Sequence, residues 1–140
     1  MSANRHLRQA WNEPKKSFVG SLMRDRIVKW RSQPSIVRID LPTKPSRARA
    51  LGYRSKEGFV LSRVKVRRGG SRKRRPVLGR RQKRLGVTKF SQGKSLRTIA
   101  EERVSRKFPN LRVLNSYLAW EDGLYKWFEV ILVNPRLQSA

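Results

Sequence analysis

LRVLNSYLAWEDGLYKWFEVILV, residues 111–133, reads as two β-strands around a tight turn. Leu111–Trp120 is the first strand and Tyr125–Val133 the second, with Asp122-Gly123 between them as the favoured two-residue hairpin turn. The second strand does not alternate. Trp127, Phe128, Val130, Ile131, Leu132 and Val133 make a nearly continuous apolar run. A strand with one wet face would carry polar residues at every second position, so this one is expected in the middle of a sheet. It is covered either on both faces or on one face by the helices.

The covers are sought outward from the hairpin. Ser95 is placed to cap a helix whose Leu96, Ile99, Ala100, Val104 and Phe108 share one face, with Pro109 ending it. Gly58 opens a further strand, FVLSRVKV. Its Val60, Val64 and Val66 point one way and Arg63, Lys65 and Arg67 the other, so it is expected to lie between a core and an anion. Ile36, Val37 and Ile39 form a short strand stopped by Pro42. Ser46 is expected to cap a short helix through Ala50 and Leu51, with Gly52 in its C-terminal turn. Asn4–Trp11 reads as a helix that ends before Pro14, because a residue preceding proline avoids the helical region. Lys15–Arg31 reads as a longer helix, and its stripe of Val19, Leu22, Met23, Ile27 and Trp30 is core packing. The fold class expected is α+β: a small mixed sheet of about four strands packed with helices, plus a long basic extended loop. One domain is expected over residues 1–140, with N-terminal helices in 4–32 and an extension over about 67–94.

That extension is RRGGSRKRRPVLGRRQKR at its densest, residues 67–84. Between Glu57 and Glu101 there are fifteen Lys or Arg and no acid, in a chain of 140 residues with formal charge +26. Like charges about 7 Å apart in water repel by about 0.6 kcal/mol, and many such pairs crowd this segment. It therefore needs an external polyanion to become ordered, and nucleic acid is the commonest. The stretch is internal, and it holds glycines, which let a backbone approach phosphate closely. A solvated tail or a transport signal needs neither feature. Eight of its ten cations are Arg, whose planar fork binds phosphate with two hydrogen bonds and stacks on bases. No zinc finger, homeodomain or zipper is visible, so the partner expected is folded RNA, read by phosphate and shape. The RNA-contacting residues expected in the extension are Arg67, Arg68, Gly69, Gly70, Arg72, Lys73, Arg74, Arg75, Arg80, Arg81, Lys83, Arg84, Lys89 and Lys94. Arg63 and Lys65 join them from the cationic strand face, and Arg47, Arg49, Arg54 and Lys56 form a second patch beside it. Tyr53 either stacks on a base or packs against the strand.

Other classes of function lack their residues. There is no cysteine and His6 is the only histidine, which leaves no transition-metal site and no catalytic triad. Gly93-Lys94-Ser95 lacks the earlier glycine of a phosphate-binding loop, since Thr88 stands there, and no strand precedes it. Glu101 and Glu102 are adjacent, so they diverge on a helix, and Glu102 is expected to pair with Arg106 one turn on. No enzyme, cofactor, metal or small-molecule substrate is expected. No apolar run approaches a membrane span, the N-terminus lacks a signal-peptide core, and the charge sits in a Gly-broken loop rather than a basic amphipathic helix. Rival readings are a free nucleic-acid chaperone or chromatin-like protein, and the RNA-binding subunit of a modifying enzyme.

Several motifs carry a family likeness. They are PKKSFV (14–19), KWRSQPSIVRI (29–39), RARALGY (47–53), KEG (56–58), RVKVRRGG (63–70), RKRRP (72–76), LGV (85–87), KSL (94–96), AEER (100–103), PNLRVLNSY (109–117) and EDGLYKWFEVILV (121–133). In this order they resemble the archaeal and eukaryotic large-subunit ribosomal protein family fifteen-e, unrelated to the bacterial protein that shares the number. The resemblance implies a structural, cofactor-free ribosomal protein of the cytoplasm. It would bind large-subunit rRNA through a basic extension, with other large-subunit proteins as neighbours. Ser46 departs from the family, where an acid is common before the Arg-Ala-Arg run. Relatives usually continue into a further basic tail, so contacts of that tail are not carried over to a sequence ending at Ala140. The short form points to an archaeal source.

Overall fold

The computed structural model describes residues 2–70, 73–87 and 91–137. Among the described residues the helices are α1 (Ala3–Asn12), α2 (Val19–Ser32), α3 (Pro45–Ala50) and α4 (Leu96–Lys107). The strands are β1 (Ile36–Ile39), β2 (Phe59–Arg67), β3 (Arg112–Glu121) and β4 (Tyr125–Val133). They form one sheet in the order β1-β2-β4-β3. The α+β class and the strand count agree with the sequence reading, but the sheet is not mixed: all three pairings are antiparallel. The reason is topological. Helix α4 carries the chain from β2 to β3, and these two strands flank β4 instead of pairing with each other.

The apolar run of β4 is buried from Trp127 through Val133, as a strand covered on both faces must be. On one face α4 lays Ala100 and Val104 against Val64, Val66, Phe128, Val130 and Leu132. The helix starts where expected, with the Ser95 hydroxyl accepting from the Thr98 N–H at 3.1 Å. On the other face α2 packs Val19, Met23, Ile27 and Trp30 against Ala119 and Trp127. Beside it α3 sets Ala48 against Leu61, Tyr117 and Ile131. Tyr53 belongs to this cluster and meets Phe59 edge-on at 6.1 Å, which decides its open reading in favour of packing on the strand.

Local details depart from the sequence reading for identifiable reasons. Helix α2 begins at Val19, not Lys15, because Ser17 is extended (φ −121°) and separates α2 from a short 3-10 turn, Pro14–Lys16. Helix α3 starts two residues earlier than a Ser46 cap requires. Lys44 is its N-cap and Pro45 occupies the first turn, where proline's fixed φ fits and its missing N–H costs nothing. It ends as foreseen. Gly52 has φ +95°, its N–H reaches the Arg49 carbonyl at 3.0 Å, and the Tyr53 N–H reaches Ala48 at 3.0 Å. That pair of bonds is the Schellman closure, which favours glycine at the left-handed position. The hairpin turn is displaced by one residue. The Asp122 N–H bonds the Tyr125 carbonyl at 2.9 Å, leaving Gly123 and Leu124 as the central pair, and neither has positive φ. The Asp122 carboxylate accepts from the N–H groups of Leu124 (2.8 Å) and Tyr125 (2.6 Å) and so closes the turn itself.

Candidate nucleic-acid interface

The extension leaves the sheet at the end of β2. Its root is pinned to the β3–β4 turn: the Arg68 N–H bonds the Leu124 carbonyl at 2.7 Å, and the Arg68 guanidinium donates to the Asp122 carbonyl. Asp122 also receives Arg31 of α2, at 2.9 Å. Beyond the root the described residues hold only one short 3-10 turn, Gln82–Arg84, before α4. Arg67, Arg68, Gly69, Gly70, Lys73, Arg74, Arg75, Arg80, Arg81, Lys83 and Arg84 are all exposed. No heavy atom comes within 4 Å of the side-chain position at Gly69 or Gly70, so that stretch of backbone is open to a partner. Lys94 is exposed too, but it pairs with Glu102 at 2.6 Å. This replaces the Glu102–Arg106 pair expected from spacing: Arg106 reaches only the Glu102 carbonyl, and Arg97 with Glu101 forms the i,i+4 pair. The Lys94 contact holds the Glu102 carboxyl below its usual range. Arg72 and Lys89 lie outside the described residues.

The second patch is present as exposed groups. Arg47 and Arg49 stand on α3 and Arg54 and Lys56 on the loop that follows. On the cationic face of β2, Arg67 is exposed, but Arg63 and Lys65 are half-buried and held by the end of α2, which departs from the expectation of a face open to an anion along its length. Arg63 stacks on the Trp30 ring at 4.0 Å and donates to the Gln33 side chain at 2.7 Å. Lys65 donates to the carbonyls of Arg31 (2.8 Å) and Gln33 (2.9 Å) and lies over Tyr125. A guanidinium over an indole, and an ammonium on the last carbonyls of a helix, are both favourable, so these two cations fasten α2 to the sheet. Burial lowers the pKa of Arg63, opposed by the charge of Glu129 and reinforced by Arg26.

Glu129 is the acid the sequence reading passed over. It is fully buried on β4, with Arg63 beside it on β2 and Tyr117 beside it on β3. Its carboxylate accepts the Thr43 N–H at 3.0 Å, the Thr43 hydroxyl and the Tyr117 hydroxyl. Burial pushes the Tyr117 pKa far up, and the neighbouring carboxylate adds to it, so the phenol keeps its proton and remains a donor. Lys44, next to Thr43, has its pKa lowered by burial, against the pull of Glu129 and with Arg47 adding to the lowering. The available signal was a lone Glu inside WFEVILV, a place where a carboxylate persists only with partners.

Asp122 gives the root of the extension a pH dependence. Burial acts to raise its pKa, but the N–H groups of Tyr125 and Leu124 and the Arg31 guanidinium outweigh that, and the net shift is downward. A depressed folded-state value means the contribution to stability is complete above the unfolded value of about 3.9 and is lost as pH falls through the folded one. Urea unfolding should therefore separate wild type from Asp122→Asn at neutral pH and bring them together in strong acid. A difference that does not change with pH would contradict this role.

A small α+β core that carries a long, uncompensated cationic extension defines the class of ribonucleoprotein components. A family model described as Ribosomal L15, of the L15e type, matches residues 2–140. The chain belongs to this family of large-subunit ribosomal proteins.

Proposed function

We propose that the protein is a structural, non-enzymatic constituent of the large ribosomal subunit that binds and stabilises folded large-subunit rRNA in support of translation in the cytoplasm. The observation that carries this reading is the extension. Every described cation from Arg67 to Arg84 is exposed, and none takes part in an ion pair among the described residues. The core sets the root of the extension, and the extension, over about residues 67–94, is ordered by the RNA segments it joins. Phosphate neutralisation and counterion release supply the affinity. Arg47, Arg49, Arg54 and Lys56 add a second contact, and neighbouring large-subunit proteins complete the surroundings.

Cosedimentation separates this reading from a free nucleic-acid chaperone. The protein should travel with the large subunit through a moderate-salt gradient at about one copy per particle. Release into the soluble fraction, or a spread over unrelated RNA, would favour the chaperone.

A further inference from the structure

A cleft of about 410 Å³ opens at the N-terminal end of α2. Lys15, Ser17, Gly20, Ser21, Arg24 and Trp120 line it. That volume lies within the range of small-molecule sites and suits a single nucleotide.

Its wall is built tightly. A Cβ on Gly20 would sit 2.6 Å from the Pro14 carbonyl oxygen, so glycine is what allows the Pro14–Lys16 turn to lie on α2. The Ser17 hydroxyl donates to the Ala10 carbonyl at 2.8 Å and ties the same turn to α1.

Trp120 reaches the cleft through an irregularity. Strict alternation along β3 would put Trp120 on the face of Leu118, towards α4. Instead Leu118 pairs with Phe128 and Trp120 with Trp127, so Ala119 is an extra residue and the register shifts. The bulge turns Trp120 to the α2 face, where Trp11 braces it edge-on at 6.5 Å. Bulges that re-aim a side chain recur beside functional sites.

The rim is cationic. Lys15 and Arg24 are exposed, and neither takes part in an ion pair among the described residues. The lining holds no acid. Phe18, next to Ser17, is 63 % exposed and is the one aromatic among the large exposed hydrophobic side chains described.

An aromatic wall beneath two free cations suits a planar base with a phosphate attached, since every base offers a π-face and every nucleotide an anion. We infer that this cleft takes one unstacked nucleotide of RNA, its base against Trp120 and its phosphate against Lys15 and Arg24. This rests on the RNA-binding reading above and adds a second grip, independent of the extension, at the N-terminal helices.

The test is photocrosslinking of the full-length chain to a single-stranded oligouridylate carrying 4-thiouridine, with crosslinked residues mapped by mass spectrometry. Two surface variants accompany it: Ser21→Phe, which fills the cleft and leaves the cations, and Arg24→Glu, which reverses one of them. A third, with Arg74, Arg75, Arg80 and Arg81 changed to Gln, weakens the extension alone. Crosslinks should fall on Trp120, persist in the extension variant, and drop about tenfold in Ser21→Phe and Arg24→Glu, the size of one lost base stack. Crosslinks confined to other residues, or undiminished in Ser21→Phe, overturn the cleft and leave the extension reading standing. Absence of any binding by wild type overturns both. Near-ultraviolet circular dichroism of the variants checks that the Trp-rich core is unchanged.

Discussion

Replacing Arg74, Arg75, Arg80 and Arg81 together by Gln should cut rRNA affinity by orders of magnitude while leaving the melting temperature unchanged. All four side chains are exposed and none has a partner in an ion pair among the described residues, so the core does not depend on them. If the intact extension neutralises six to ten phosphates, wild-type affinity falls about 10³- to 10⁵-fold between roughly 50 and 200 mM salt. Each phosphate contact contributes about 0.9 to the slope of log affinity against log salt, so losing four lowers the slope by about 3.6. Filter binding across a salt series reads both quantities. A wild-type slope near zero, or a slope unchanged by the four substitutions, would show that the affinity comes from elsewhere. The same substitutions at Arg63 and Lys65 should behave in the opposite way, disturbing the core first, because Trp30 and the carbonyls at the end of α2 already hold those groups.

How much of this was legible in the sequence depends on where the cause lies. Helix α4 and strand β4 were readable because their apolar spacing and their burial are one phenomenon. Ala100 and Val104 recur at helical spacing and are buried, and the run to Val133 has no alternating polar positions, only the lone Glu129, because it has no wet face. The extension was readable from charge alone, since no internal arrangement can satisfy ten cations without an acid. Long-range causes were not readable. Alternation placed Arg63 and Lys65 on one face of β2, but nothing local says that the face belongs to Trp30 and not to phosphate. Ser17 interrupts a helical pattern because its hydroxyl is used by the Ala10 carbonyl, seven residues away. Trp120 changes faces through a bulge that leaves no mark in the composition of β3.

The largest effect on stability should come from Glu129→Ala. The carboxylate holds the loop before α3 onto the middle of the sheet, through Thr43, and holds β3 through Tyr117. Removing it leaves the Thr43 N–H and the Tyr117 hydroxyl without their acceptor, at about 1–3 kcal/mol for each buried orphan. It also withdraws the negative charge that Lys44 and Arg63 both feel. Breaking a buried charged arrangement from one side typically costs about 3–5 kcal/mol, a large share of the roughly 5–15 kcal/mol that keeps a domain folded. Urea unfolding should show a loss in that range for Glu129→Ala. The loss for Glu129→Gln should be smaller, since an amide oxygen in the Oε2 position can still accept the Thr43 N–H and the Tyr117 hydroxyl while the Thr43 hydroxyl rotates to accept from the NH2 group. Tyr117→Phe should cost less than Glu129→Ala, because Thr43 still satisfies the carboxylate. In the double variant the two losses should fall short of their sum by about 0.5–3 kcal/mol, the mark of residues that share one network. Arg47 and Arg49 sit on α3, immediately after this anchor, so loosening it should also weaken the second cationic patch before it affects the extension. If Glu129→Ala unfolds within about 1 kcal/mol of wild type, well below the typical cost of breaking a buried pair, the loop before α3 is held by packing and not by this carboxylate.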